Sequence, residues 1–285
     1  MRNTAIIRIH CGDQRGLIAK VTDFIHRNSG NVLALDQHTD QEEERFFMRV
    51  ECNFKGIMLD QDKIRKDFQL EIADPLSMVW SIQFSDQLSR MAIFVSKASH
   101  CLFDLLARYQ AGELNVKIPL IISNHKVLEG IAKKFGIPYY HLPVNKETME
   151  KVESDMLKLL REYEVDFIVL ARYMQILTSN FIDEYKYRIV NIHHSFLPAF
   201  AGAKPYHSAH ARGVKIIGAT GHYVTSDLDA GPIIDQDVIR ISHHDTVKSL
   251  VQKGKDIEKI VLSRAVKAHV ENKTMVYKNK TIIFT

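Results

Sequence analysis

Three cysteines in 285 residues are too few for a disulfide framework, and Cys11, Cys52 and Cys101 show no Cys-x-x-Cys spacing that would suggest a structural zinc site. Lone thiols of this kind point to a reducing compartment, so a cytoplasmic location is expected. Long apolar runs are also missing. The opening stretch meets Arg8 after only Ala5-Ile6-Ile7, and no later segment approaches the roughly 20 apolar residues of a membrane span. Charge of one sign is scarce in turn. With 38 Lys and Arg against 34 Asp and Glu the net charge is +4, no long basic run occurs, and a nucleic-acid partner is not expected. Internal repeats and low-complexity tracts are absent.

What is present is an ordinary globular composition, 46% apolar and 25% charged, in a chain long enough for two cores. The first core reads as a small α+β module. Ala5 to Cys11 is a strand, Asp13-Gln14-Arg15-Gly16 a polar turn in which Asp13 can cap a helix, and Leu17, Ile18, Val21, Phe24 and Ile25 form the apolar stripe of that helix, stopped by Gly30. Val32 to Thr39 and Phe46 to Phe54 read as strands, a helix follows through Ile64 and Phe68, and Met78, Trp80, Ile82 and Phe84 alternate as a last strand. The order βαββαβ is the ferredoxin-like pattern.

Beyond Ser85-Asp86-Gln87 the pattern changes, which sets the expected domains at 1–85 and 86–285. Strands at Arg90 to Val95, Lys117 to Ile122, Pro138 to His141 and Val165 to Leu170 alternate with helices at Cys101 to Tyr109, Val127 to Phe135 and Lys146 to Tyr163. Such alternation predicts an α/β, Rossmann-like, mostly parallel sheet covered on both faces, with ligands at the carboxyl ends of its strands. Further strands are read at Arg188 to Ile192 and Ile216 to Val224, a closing helix around Val247 to Val266, and a terminal hairpin from Tyr277 to Phe284 turning at Lys278-Asn279-Lys280.

Fourteen histidines raise the question of a metal. His207 and His210 stand at helical spacing and His243-His244 are neighbours that should point apart, but no third ligand stands at a matching distance in sequence, and no metal is expected. The chemistry gathers elsewhere. Asn191-Ile192-His193 ends one strand and Asp229 lies in the polar loop after the next, supplying an amide, an imidazole and a carboxylate. A formyl carbon under attack needs an oxyanion donor, a proton carrier and a group that orients the nucleophile, and these three side chains can divide those tasks.

The segments Val190-Asn191-Ile192-His193-His194-Ser195-Phe196-Leu197-Pro198-Ala199-Phe200 and Thr220-Gly221-His222-Tyr223-Val224-Thr225-Ser226-Asp227-Leu228-Asp229-Ala230-Gly231-Pro232-Ile233-Ile234 resemble the two signatures of the folate-dependent formyltransferases. Asp13-Gln14-Arg15-Gly16-Leu17-Ile18-Ala19 resembles the start of ACT domains, which often bind amino acids between paired copies. Together the whole chain resembles the formyltetrahydrofolate deformylases. The resemblance implies hydrolysis of 10-formyltetrahydrofolate to tetrahydrofolate and formate, feeding one-carbon pools for purine synthesis. The folate is then a substrate, with no cofactor. It further implies an amino-acid effector or a pairing role for the first domain, and a homo-oligomer, dimer or tetramer.

Three features bear on the alternatives. The loop Val95-Ser96-Lys97-Ala98-Ser99-His100-Cys101 has no glycine to cradle the phosphate of an acceptor such as glycinamide ribonucleotide, although Lys97, Ser99 and His100 remain able to meet an anion. The chain ends too soon after the second signature for the extra domain of the methionyl-tRNA formyltransferases. Ala230 follows Asp229 where deformylases commonly carry an acid, which keeps formyl transfer to an amine open; a non-catalytic amino-acid sensor is the reading from another class. In the deformylase reading Met174, Gln175, Leu177, Ile182, Val224 and Leu228 hold the pterin, Asn191 and protonated His193 stabilise the oxyanion, and Asp229 orients the water and takes its proton. His222 and Ser195 stand behind them, His222 orienting Asp229 and Ser195 shaping its loop.

Overall fold

The structure is a computed structural model that describes residues 4–54, 60–145, 147–198 and 205–285. Lys146, and Ala199 and Phe200 at the end of the first signature, lie outside these residues. The chain divides into two compact units. One comprises Met1–Leu88, Asn272–Met275 and Ile282–Thr285, and the other Ser89–Glu271 and Val276–Thr281. The expected second domain, 86–285, thus begins at Ser89, and two short C-terminal segments belong with the first unit.

In the first unit β1 (Thr4–Gly12) leads to α1 (Leu17–Arg27), β2 (Gly30–Asp40), β3 (Arg45–Phe54), α2 (Gln61–Phe68), a π-helical turn at Gln69–Ala73 and β4 (Val79–Phe84). The sheet order β2-β3-β1-β4 is antiparallel throughout. Alternation does the work here: Ala5, Ile7, Ile9 and Cys11 of β1 turn inward and meet Leu17, Val21, Phe24 and Ile25, the stripe of α1. Two local expectations change. Asp13 does not cap α1; Gly16 does, at φ 86°, a left-handed conformation that glycine adopts without penalty. The helix also stops before Gly30, at Asn28, and Ser29 takes the left-handed turn with φ 56°.

The second unit runs β5 (Met91–Val95), α3 (His100–Gln110), β6 (Ile121–Ser123), α4 (Glu129–Lys134), β7 (Tyr139–His141), α5 (Met149–Glu162), β8 (Phe167–Leu170), α6 (Ser179–Glu184), β9 (Ile189–His193), α7 (Pro205–Arg212), β10 (Ile216–Tyr223), β11 (Ile233–Arg240) and α8 (Val247–Val270). A last pair, β12 (Thr274–Tyr277) and β13 (Lys280–Ile283), turns at Lys278-Asn279. The seven strands lie in the order β11-β10-β9-β8-β5-β6-β7. Strands β5 to β9 are parallel, and β10 and β11 are added antiparallel. The strand expected at Lys117 to Ile122 shrinks to β6, its first residue making only an isolated bridge to Arg90.

Strand order reverses between β5 and β8, since β6 and β7 continue on one side of β5 while β8 and β9 lie on the other. A crevice opens at the carboxyl ends of strands at such a switch point. Ser96, Asn124, Ala171 to Met174 and His193 all arrive there, each at or just past the end of its strand. Three elements were not foreseen: α6, α7 as a full helix, and β11, whose Asp235 and Asp237 pair with Arg264 of α8 and give an edge strand a polar face. His243 and His244 do not point apart either; their rings lie 3.9 Å centroid to centroid.

Candidate active site

The register of β9 on β10 sets Asn191 opposite His222 and His193 opposite Thr220. Directly opposed residues project to the same face. That face is the one away from α8, because between them on β10 stands Gly221, whose missing Cβ would come 2.8 Å from Ala265 of that helix. Asn191, His193 and His222 therefore share one surface, and the loop after β10 brings Asp229 onto it. Gly231 makes this return possible, since a Cβ there would fall 1.8 Å from the Tyr223 carbonyl oxygen.

Asp229 sits at φ 55°, in the left-handed region that a side chain rarely adopts. Its Oδ2 lies 3.1 Å from His193 Nδ1 and its Oδ1 3.6 Å from His222 Nε2. Hydrogen bonding by His193 holds the Asp229 carboxyl far below the usual carboxylate range, against an opposing push from burial. His222 is itself fixed: Nδ1 donates to the Tyr223 carbonyl at 3.0 Å, which leaves Nε2 to accept from the Asn191 amide at 3.2 Å. One amide N–H of Asn191 is thereby used and the other is left for an oxygen on the same face.

Among the described residues, His193 Nε2 is buried without a partner, and so is the Ser195 hydroxyl. A buried polar atom of this kind costs free energy until something meets it, so such atoms mark where a ligand or water docks. Ser195 also shapes its loop through the backbone, its carbonyl accepting from Thr220 Oγ1 at 2.9 Å. His194 is buried beside His193, with ring centroids 5.0 Å apart; burial first, then the charges of Arg172 and His193, push its imidazole down to about 4. It is neutral at physiological pH.

The residues expected around a pterin fall into two groups. Leu177 and Ile182 are buried in one apolar cluster with Val224 against it, whereas Met174 and Leu228 are 60% and 67% exposed. Gln175 turns its side-chain amide to the Met174 carbonyl at 3.0 Å. The segment is anchored at the switch point by Ser96 Oγ, which accepts from Met174 N–H at 2.9 Å and donates to Asn124 Oδ1 at 2.7 Å.

Residues 89–266 match the model of the formyl transferase family and residues 5–57 that of the ACT domain. A formyltetrahydrofolate deformylase of Synechocystis sp. is 49% identical over 99% of this chain and 98% of its own length, and one of Bacillus subtilis 46% over 97% and 92%. The crystal structure of a formyltetrahydrofolate deformylase from Pseudomonas syringae pv. tomato superimposes with a TM-score of 0.96 at 44% identity, covering all of this chain and 95% of that one. The chain belongs to the formyltetrahydrofolate deformylase family. A glycinamide ribonucleotide transformylase from Symbiobacterium toebii is also similar, but at 26% identity and a TM-score of 0.66 over 71% of this chain. Among the described residues no helix is long and apolar enough to cross a membrane.

Family membership leaves several residues that sequence reading passed over. His100, considered there as an anion ligand, instead bonds Glu258 Oε2 at 2.8 Å. Arg172 and Tyr206 join the same carboxylate. The one available signal was a glutamate interrupting the apolar face of α8, where Leu250, Ile257 and Val261 are buried around it.

Proposed function

We propose that this chain hydrolyses 10-formyltetrahydrofolate to tetrahydrofolate and formate at the face formed by Asn191, His193 and Asp229. The observation that carries the reading is the His193 ring, bound through Nδ1 to Asp229 while Nε2 is buried and has no partner among the described residues. The end-to-end likeness to deformylases supports it. Water attacks the formyl carbon, the oxyanion is met by the free N–H of Asn191 and by protonated His193, and His193 then delivers a proton to N10 as the C–N bond breaks.

Asp229 orients the attacking water. Its strongly depressed carboxyl makes it a poor base in the resting site, so it takes the water proton only as charge develops in the transition state. The pterin is received by Met174, Gln175, Leu177, Ile182, Val224 and Leu228, with Met174 and Leu228 exposed beside a buried apolar wall. Nothing in these steps calls for a group other than the folate substrate and water.

The first unit carries the regulatory part of the reading: an amino acid as effector, bound where two copies of the module meet, in a dimer or tetramer located in the cytoplasm. β2 supports this as an edge strand with Leu33 and Leu35 exposed, an edge that pairing would cover. The formate released serves one-carbon supply to purine synthesis. The test is formate release from 10-formyltetrahydrofolate without any acceptor: Asp229→Asn and His193→Ala should each slow it about a hundredfold or more, and near-normal turnover by both variants with folate still bound would refute the assignment.

A further inference from the structure

One buried carboxylate takes no part in the hydrolysis described above. Glu258, in the middle of α8, is 1% exposed. Its Oε2 accepts from His100 Nε2 at 2.8 Å and lies 3.4 Å from Arg172 Nε, and its Oε1 accepts from the Tyr206 hydroxyl at 2.7 Å. Burial alone raises the Glu258 carboxyl, but the His100 hydrogen bond and the Arg172 charge outweigh it and keep it below its usual value. The acid is therefore ionised, and both its oxygens are satisfied from within the protein.

The cluster is locked in place. A Cβ on Gly254, one turn before Glu258, would come 2.0 Å from the Tyr206 hydroxyl, so Tyr206 lies directly on the bare backbone of α8 and cannot step back. Arg172 reaches inward from a left-handed backbone with φ 65°. His194 continues the wall toward the reacting centre, its ring 6.0 Å from that of Tyr206 and 5.0 Å from that of His193. Among the described residues His194 thus links this cluster to His193.

His100, Cys101 and Glu258 also bring ligand-type atoms within 4.8 Å of one another. A cation there would meet the Arg172 guanidinium on the same carboxylate oxygen and a thiol that burial holds protonated. Ion pairing, and not metal binding, is the chemistry this cluster supports.

We propose that the His100–Glu258–Tyr206–Arg172 cluster is a closed gate that bars amine acceptors from the formyl carbon and leaves water as the only nucleophile. The proposal rests on the deformylase reading, and deepens it by naming what selects the acceptor. If the gate were opened, an amine nitrogen would attack the formyl carbon, the C–N10 bond would break with its electron pair leaving on N10, and N10 would take a proton from His193. The proton lost by the amine would pass by way of Asp229 to solvent, giving tetrahydrofolate and a formamide.

The test uses the full-length protein, 10-formyltetrahydrofolate and glycinamide as a small neutral amine, with formate and N-formylglycinamide both quantified. In the wild type, formate should match tetrahydrofolate at every glycinamide concentration. In His100→Ala and in Tyr206→Ala, N-formylglycinamide should take a share that grows with glycinamide, about tenfold or more above wild type. Glu258→Gln, which keeps the volume, should stay near wild type. Either cavity variant, folded and binding folate yet yielding formate alone, overturns the gate. Should both variants fail to fold, the wild-type series still decides, since formylation of glycinamide by the intact protein also overturns it. A wild type that releases no formate refutes the hydrolase reading instead.

Discussion

Nδ1 of His193 lies 3.1 Å from Oδ2 of Asp229, while Nε2 of the same ring is buried with no partner among the described residues. The ring is thus fixed on one side and available on the other, the arrangement of a proton carrier held in one tautomer and orientation. His222 backs the pair by binding Asn191 through Nε2 and the Tyr223 carbonyl through Nδ1. Replacing His222 by Phe should remove the partner of the Asn191 amide and loosen Asp229 without touching His193. We expect kcat to fall by about tenfold or more with KM little changed, measured as steady-state formate release.

The loop that carries Asp229 depends on Gly231. Any side chain there meets the rigid Tyr223 carbonyl, not the flexible end of a neighbour. Gly231→Ala should displace Asp229, lower kcat steeply and cost about 1–3 kcal/mol in urea denaturation. Unchanged kinetics would mean that the loop position does not matter.

The folate slot has its own anchor. Ser96→Ala removes the acceptor of the Met174 N–H and the donor to Asn124, so the stretch around Met174 loses its side-chain tie to the ends of β5 and β6 while Ala171 N–H keeps its bond to the Phe94 carbonyl. A loss of about 1 kcal/mol corresponds to a rise in KM of roughly fivefold, with kcat nearly kept. Titration of folate binding by fluorescence checks it.

His194 sets a pH dependence. Its folded value of about 4 lies below the usual 6.5, so the neutral ring is the stable form in the fold. The stabilisation is fully present above 6.5 and is lost as pH falls toward 4, because between those values only the unfolded chain takes up the proton. Stability should decline over this window by at most about 1.4 kcal/mol per unit, and His194→Asn should flatten the decline. Thermal melting across pH 4 to 7 reads both.

Much of this was legible in the chain. Period-two and helical apolar patterns described β1 and α1 nearly to their ends, because each has one dry face and one wet face. The alternation after Ser85-Asp86-Gln87 indicated a parallel sheet, and Asn191, His193 and Asp229 stood out through the resemblance of their two segments to the formyltransferase signatures. What stayed hidden depended on contacts far apart in sequence. β11 reads as polar because Arg264 answers its aspartates from another element. Glu258 reads as a surface acid on a helix, and only the fold shows it enclosed by His100, Arg172 and Tyr206, which come from three separate segments. The cap of α1 was misplaced because Gly16, in a left-handed conformation, did what a side-chain cap was expected to do.

The central claim is that water attacks a formyl group held between Asn191, His193 and Asp229. The most direct measurement is the release of formate from 10-formyltetrahydrofolate by the purified protein with no acceptor present, in wild type and in Asp229→Asn. The account predicts one formate for each tetrahydrofolate formed, and a loss of about a hundredfold or more in the variant with folate binding retained. Undiminished formate release by Asp229→Asn, or none by the wild type, would contradict it.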